Sequence, residues 1–180
     1  MGKRVLIIST SLRKGGNSEI LADECIKGVR QAGHEVEKIS LQDKEINFCK
    51  GCLACKNTKR CVMHDDADMI VQKMLSADAI VFATPIYYYE MSGQMKTLLD
   101  RANPLYFSDY RFRDVYLLAT SADEDESAMD GAVKGLQGWI SCFEKARLAG
   151  VVRCTDTDAI GAVQNAARAL ETAYEMGKNV

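Results

Sequence analysis

The sequence predicts an open, mostly parallel α/β sheet of five strands with helices on both faces, and three observations carry that expectation. First, the runs "RVLIIST" (4–10), "AIVFATP" (79–85) and "DVYLLATS" (114–121) are continuously apolar and bounded by polar residues, as strands buried on both faces are. Second, segments of helical periodicity separate these runs, so β and α units alternate down the chain. Third, no internal repeat, low-complexity tract or Pro- or Gly-rich linker interrupts the alternation, which implies one domain over residues 1–180.

The elements follow in order. After the first strand, "NSEILADECIKGVRQAG" (17–33) places Leu21, Cys25 and Val29 on one helical face, with Asn17 or Ser18 as N-cap and Gly33 as the stop. "EVEKISL" (35–41) alternates as a second strand. "DDADMIVQKMLSAD" (65–78) puts Ile70, Val71 and Met74 together and carries acids in its first turn, where they suit the helix dipole. "SGQMKTLLDRA" (92–102) presents Met95, Leu98, Leu99 and Ala102. A helix from about Ser127 to Leu148 would turn Met129, Val133, Leu136, Ile140 and Phe143 inward. The short strand "GVVRC" (150–154) and a helix over 162–178 complete five β–α units. Cys25, Cys142 and Cys154 fall in these elements and are expected in the core.

Composition narrows the function classes. The 180 residues are 47% hydrophobic with a net charge of −2 and interspersed signs, so there is no basic stripe for nucleic acid. The longest apolar runs are too short to span a bilayer. The basic-then-apolar start "MGKRVLIISTS" reads as a strand rather than a secretory signal, implying a reducing, cytoplasmic setting in which clustered cysteines serve as ligands or redox centres more than as disulfides.

In open parallel sheets, ligands bind at the carboxyl ends of the strands. The loops at 9–18, 42–65, 84–93 and 120–128 all fall there. The first, "STSLRKGGNS", gathers hydroxyls, glycines and Arg13 at a helix N-terminus, which suits a single phosphate; the simpler reading is a polar capping loop. It is neither a Walker loop nor a dinucleotide fingerprint. The third places Tyr87, Tyr88 and Tyr89 directly after a buried strand, where rings line a planar ligand or form a rim or subunit interface. A phosphate loop and an aromatic loop on one edge match the shape of flavin mononucleotide (FMN). The acidic stretch "SADEDESAMDG" (121–131) reads as a solvated helix start; facing a nucleotide, it would disfavour a 2′-phosphate.

The second loop contains "FCKGCLACKNTKRC", four of the seven cysteines in thirteen positions. A disulfide knot, a zinc site, an iron–sulfur cluster and a loop merely rich in sulfur are the alternatives. Compact C-x2-C-x2-C-x5-C spacing suits a cluster better than tetrahedral zinc, which usually draws on two separated knuckles. Lys56, Lys59 and Arg60 nearby would favour thiolates. His34 and His64 read as ordinary surface or capping residues, and no Ser-His-Asp or Cys-His arrangement is evident.

Taken together, S-x-S-x-R-x-x-x-N-S, the cysteine spacing, the Asp-Asp pair, P-x-Y and S-G-x-x-K-x-x-x-D-R resemble the NADPH-dependent FMN reductase family, and within it the iron–sulfur flavoproteins. The likeness covers residues 4 to about 121 well. It implies a flavodoxin-like, doubly wound five-stranded parallel sheet with a cysteine-rich insertion at about 42–65. By the same likeness, Ser9, Ser11, Arg13, Asn17 and Ser18 would hold the FMN phosphate, and Leu12 would be a further cofactor contact. Pro85, Ile86, Tyr87 and Tyr88 would contact the ring, with Thr120 and Ser121 on its pyrimidine side. Cys49, Cys52, Cys55 and Cys61 become candidate [4Fe–4S] ligands. The implied activity passes electrons from NAD(P)H through FMN to a small acceptor such as a quinone or flavin, in a homodimer or homotetramer. The alternative is an iron–sulfur carrier served by a ferredoxin-like donor.

Overall fold

A computed structural model describes residues 2–180. Its elements are β1 (Arg4–Ser9), α1 (Asn17–Gln31), β2 (Glu35–Ser40), α2 (Cys55–Thr58), α3 (Asp66–Ser76), β3 (Ala79–Tyr87), β4 (Glu90–Met91), α4 (Gly93–Arg101), α5 (Asn103–Tyr106), β5 (Asp114–Thr120), α6 (Asp130–Ile140), β6 (Arg147–Cys154) and α7 (Ala167–Lys178). The parallel sheet runs β2-β1-β3-β5-β6, and β4 pairs antiparallel with the end of β3. The sheet is therefore six-stranded rather than five-stranded, the extra strand being the two-residue return of a hairpin.

Strand alternation explains the two layers. Val5 and Ile7 of β1, with Val81 of β3, face Leu21, Cys25 and Val29 of α1 and Ala173 of α7. Leu6, Ile8, Ile80 and Phe82 face Ile70, Met74, Met95, Leu98 and Leu136 from α3, α4 and α6. Each such side chain taken fully out of water contributes about 1.5–3 kcal/mol. On the first face α1 and α7 approach backbone to backbone: a Cβ on Gly28 would lie 2.0 Å from the Tyr174 carbonyl oxygen, and one on Gly177 would lie 2.1 Å from that of Cys25. Gly28→Ala must push the helices apart and is expected to lower stability by about 2–3 kcal/mol, read as a lower urea midpoint.

The region 127–148 departs from the single helix that its periodicity predicts. A 3₁₀ turn (Glu126–Met129) leads into α6, which ends at Ile140, and β6 already begins at Arg147. The Ser141 hydroxyl bonds back to the Gly138 carbonyl at 2.7 Å, and successive turns through Phe143 and Ala146 reverse the chain. Phe143 is buried as expected, but from this turn, packing against Trp139, Phe112 and Tyr110. Cys142 is exposed rather than in the core, because it lies on the outer side of the same turn; Cys25 and Cys154 are buried. The final helix is shorter than expected, a 3₁₀ turn (Ala162–Asn165) preceding α7.

Candidate functional site

β1 delivers the chain to the carboxyl edge at Ser9, and α1 leaves it with Gly16, not Asn17 or Ser18, in the N-cap position. Between them the backbone folds tightly: the Ser11 hydroxyl accepts from the Arg13 amide at 3.1 Å, and a Cβ on Gly16 would lie 2.7 Å from that hydroxyl. Ser18, in the first turn of α1, has a buried hydroxyl oxygen with no hydrogen-bond partner. An orphaned buried hydroxyl beside free helix-N-terminal amides is a ready donor for an anion.

Ser11, Arg13, Gly16, Asn17 and Ser18 form one wall of an open cavity of about 180 Å³. Pro85, Ile86 and Tyr87 line the opposite side from the end of β3, and Thr120 and Ala122 contribute from the end of β5. Thr157, Asp158 and Ile160, from the loop after β6, complete it and were missing from the sequence expectations. The signal was available: that loop also leaves the carboxyl end of a parallel strand. Asn17 ties it down, donating to the carbonyls of Thr157 (2.8 Å) and Ala159 (2.9 Å) and accepting from the Val163 amide (3.2 Å).

Four of the residues expected at the cofactor lie off this cavity. Ser9 is fully buried beneath it, its hydroxyl likewise unpartnered. Leu12 turns into a separate apolar groove with Leu41, Ile46 and Phe48. Ser121 is buried as a clamp whose carbonyl accepts from both the amide and the hydroxyl of Thr157. Tyr88 is 100% exposed at the tip of the β3–β4 hairpin. Tyr88 and Tyr89 both hold left-handed backbone (φ 50° and 63°), a strain of about 1–2 kcal/mol per residue. The Tyr89 hydroxyl bonding to Asp123 at 3.2 Å, with Gly131 packed close against the Tyr89 carbonyl, holds the tip in place. Asp123 and Asp125 cap the turns of the acidic segment, and the Ser127 amide draws the Asp125 carboxyl below its usual range.

The cysteine stretch has no regular structure before α2. Cys49 and Cys52 are exposed, whereas Cys55 is buried and Cys61 half-buried. Among the described residues, no three His, Cys, Asp or Glu side chains converge on a metal-sized point. Two of the three cations expected beside the thiols are engaged elsewhere: Arg60 pairs with Asp68, and Lys59 donates to the Lys56 carbonyl and sits over the Phe107 ring. The guanidinium that does reach a sulfur is Arg101, at the end of α4. Its Nη2 donates to Cys61 Sγ at 3.3 Å, while Asn103 Nδ2 donates to Cys55 Sγ at 3.2 Å.

Arg101 is wholly buried and grips Asp65 with both terminal nitrogens, at 2.6 and 2.7 Å; it also donates to the Asn47 carbonyl. Asp65 in turn N-caps α3 through the Ala67 amide and accepts from the Asn47 amide. Burial works against the carboxylate, but the bonds from Arg101 and Asn47 outweigh it and hold Asp65 at about 2.

A 102-residue stretch is 43% identical to an iron–sulfur flavoprotein of Methanocaldococcus jannaschii, covering 57% of this chain and 53% of that one. The chain spans about half the length of the curated iron–sulfur flavoproteins it matches. A Bacillus subtilis protein named as an NAD(P)H-dependent FMN-containing oxidoreductase is 30% identical over 142 residues, 74% of this chain and 71% of the relative. In fold, the chain is similar to an NAD(P)H:quinone oxidoreductase from Methanothermobacter marburgensis, with a TM-score of 0.74, 14% identity and coverage of 99% and 97%. No helix among the described residues is long and apolar enough to cross a membrane. Residues 3–147 match the NADPH-dependent FMN reductase family, and the chain, flavodoxin-like in architecture, belongs to it.

Proposed function

We propose that this protein is an FMN-dependent oxidoreductase that passes electrons from NAD(P)H to a small acceptor such as a quinone, a flavin, or a nitro- or azo-compound. The observation that carries this is the orphaned Ser18 hydroxyl at the N-terminus of α1, in the same cavity as Ser11 and Arg13 and across from Pro85, Ile86 and Tyr87. Ser11, Arg13 and Ser18 would hold the phosphate, assisted by the α1 dipole. Asn17 would act through its backbone amide and by fixing the loop after β6, since its side chain is already bonded there. Pro85, Ile86 and Tyr87 would support the ring and Thr120 its pyrimidine edge. When bound, FMN supplies the ring that accepts a hydride and hands electrons on. The chain's part is to orient that ring and leave one face open to the nicotinamide. Assembly as a homodimer or homotetramer would cover the exposed Leu12, Phe48 and Tyr88 side chains.

Anaerobic addition of NADPH or NADH to the FMN-loaded protein is expected to bleach the visible flavin band. Bleaching by dithionite alone would instead assign a one-electron carrier. That second reading, an iron–sulfur flavoprotein with Cys49, Cys52, Cys55 and Cys61 as cluster ligands, is favoured by the N–H donors already bonded to two of the four sulfurs. Such donors are what a negatively charged cluster draws on.

A further inference from the structure

We propose that Asp123 is a positioning residue of the flavin cavity, tying together the loops after β3, β5 and β6 that line its ring side. This rests on the FMN reading above. Strand pairing stops short of these loops, at Pro85–Thr120 between β3 and β5 and at Thr120–Cys154 between β5 and β6. Beyond the last pairs, Asp123 follows the cavity residue Ala122 and bonds to the loops on either side. Its Oδ2 accepts from the hydroxyl of Tyr89, which lies two residues past Tyr87, at 3.2 Å. Its carbonyl accepts at 3.2 Å from the amide of Asp156, which directly precedes Thr157 and Asp158 of the cavity. Its own loop fixes it in turn: the Asp123 amide donates to the Ser121 hydroxyl at 3.1 Å, and Oδ1 accepts from the Asp125 amide at 2.9 Å. The backbone of both outer partners supports the assignment. Tyr89 and Asp156 hold left-handed φ values of 63° and 55°. Residues other than glycine keep that conformation only where surrounding contacts over-determine it, and such residues gather at ligand clamps. Asp123 is a contact that both share. Holding the loops at set separations before the ring arrives lowers the ordering cost of binding it.

Equilibrium titrations of the full-length chain, freed of flavin, with FMN and with riboflavin test this, beside a urea unfolding curve for each variant. Asp123→Ala removes both carboxylate bonds and should bind both flavins about tenfold more weakly, the change that two ordinary hydrogen bonds give. The wild-type ratio of FMN to riboflavin affinity should be kept, because the loss falls at the ring end. Tyr89→Phe, which removes one exposed bond, should weaken both flavins about threefold at an unchanged urea midpoint, and it decides the matter where Asp123→Ala unfolds too readily. Asp123→Asn should restore wild-type affinity: its Oδ1 can accept from the Asp125 amide, and its Nδ2 can donate to the phenol oxygen of Tyr89. Unchanged affinity in Asp123→Ala and Tyr89→Phe, a loss confined to FMN, or an asparagine variant as weak as the alanine one would overturn the positioning role and leave the FMN reading intact. Wild-type protein that binds FMN no more tightly than riboflavin would overturn the FMN reading and this inference with it.

Discussion

Replacing Asp65 by asparagine is expected to lower the unfolding free energy by about 3–5 kcal/mol, the cost of leaving a buried guanidinium without its counter-charge. The side chains of Arg101 and Asp65 are 0% and 3% exposed, so water cannot take over the lost partner. The effect extends beyond the pair. Asp65 caps α3 and receives the Asn47 amide, so the variant loosens the entry of α3 and the start of the cysteine stretch together. Urea unfolding monitored by circular dichroism reads it as a lower midpoint at unchanged slope. The pH dependence has a definite sign. A carboxyl held at about 2 in the folded protein is depressed from its unfolded value near 3.8. Its stabilising contribution, roughly 2 kcal/mol, is therefore complete above about pH 4 and is lost as the pH falls towards 2. The gap between wild type and Asp65→Asn should narrow over that window and stay constant from pH 5 upward.

Replacing Ser18 by alanine should separate binding from folding. Its hydroxyl bonds to nothing in the protein, so the variant should unfold at the wild-type urea concentration or slightly above it. Affinity for FMN should nevertheless fall by about 10- to 100-fold, the loss expected for one hydrogen bond to a charged phosphate. A fluorescence titration against FMN beside a denaturation curve measures both. Reduced stability with unchanged FMN affinity would mean that the hydroxyl serves the fold and not the ligand.

Much of the architecture was readable in the residues because the central strands are buried on both faces. "RVLIIS", "AIVFAT" and "DVYLLAT" have no polar alternation to confuse them with surface segments, and Gly33, in left-handed backbone just past α1, marked the end of that helix. Difficulty began where two different structures share one pattern. Met129, Val133, Leu136, Ile140 and Phe143 follow helical spacing throughout, yet Phe143 reaches the core from a turn, and neither Gly nor Pro interrupts 141–146. The edge strand β6 begins with Arg147–Leu148–Ala149, of which only Leu148 is partly buried, and it does not look like a strand until its pairing with β5 is seen.

The candidate site divides the same way. The β1–α1 loop is local, so the gathering of Ser11, Arg13 and Ser18 at the start of α1 could be read from the order of residues alone. Thr157, Asp158 and Ile160 come from the loop after β6, whose carboxyl end at Cys154 the sequence reading placed correctly, and they are tied to the cavity by Asn17, 140 residues away in sequence from the Thr157 carbonyl it holds. The contact of Arg101 with Asp65 and Cys61 spans 36 and 40 residues. Nothing in the local sequence around Cys61 distinguishes that guanidinium from Lys59 or Arg60, which are nearer in the chain but bonded elsewhere. Strain also went unseen: three consecutive tyrosines suggest a ring-lined wall, whereas the hairpin turns at Tyr88 and Tyr89 and leaves only Tyr87 on the cavity.

The central claim is that the β1–α1 loop is a phosphate cradle for FMN, and parallel equilibrium titrations of the protein with FMN and with riboflavin test it most directly. Two or more charge-assisted bonds from Ser11, Arg13 and Ser18 should make FMN bind at least about 100-fold more tightly than riboflavin, which has the same ring and no phosphate. Equal affinity for the two would contradict the account.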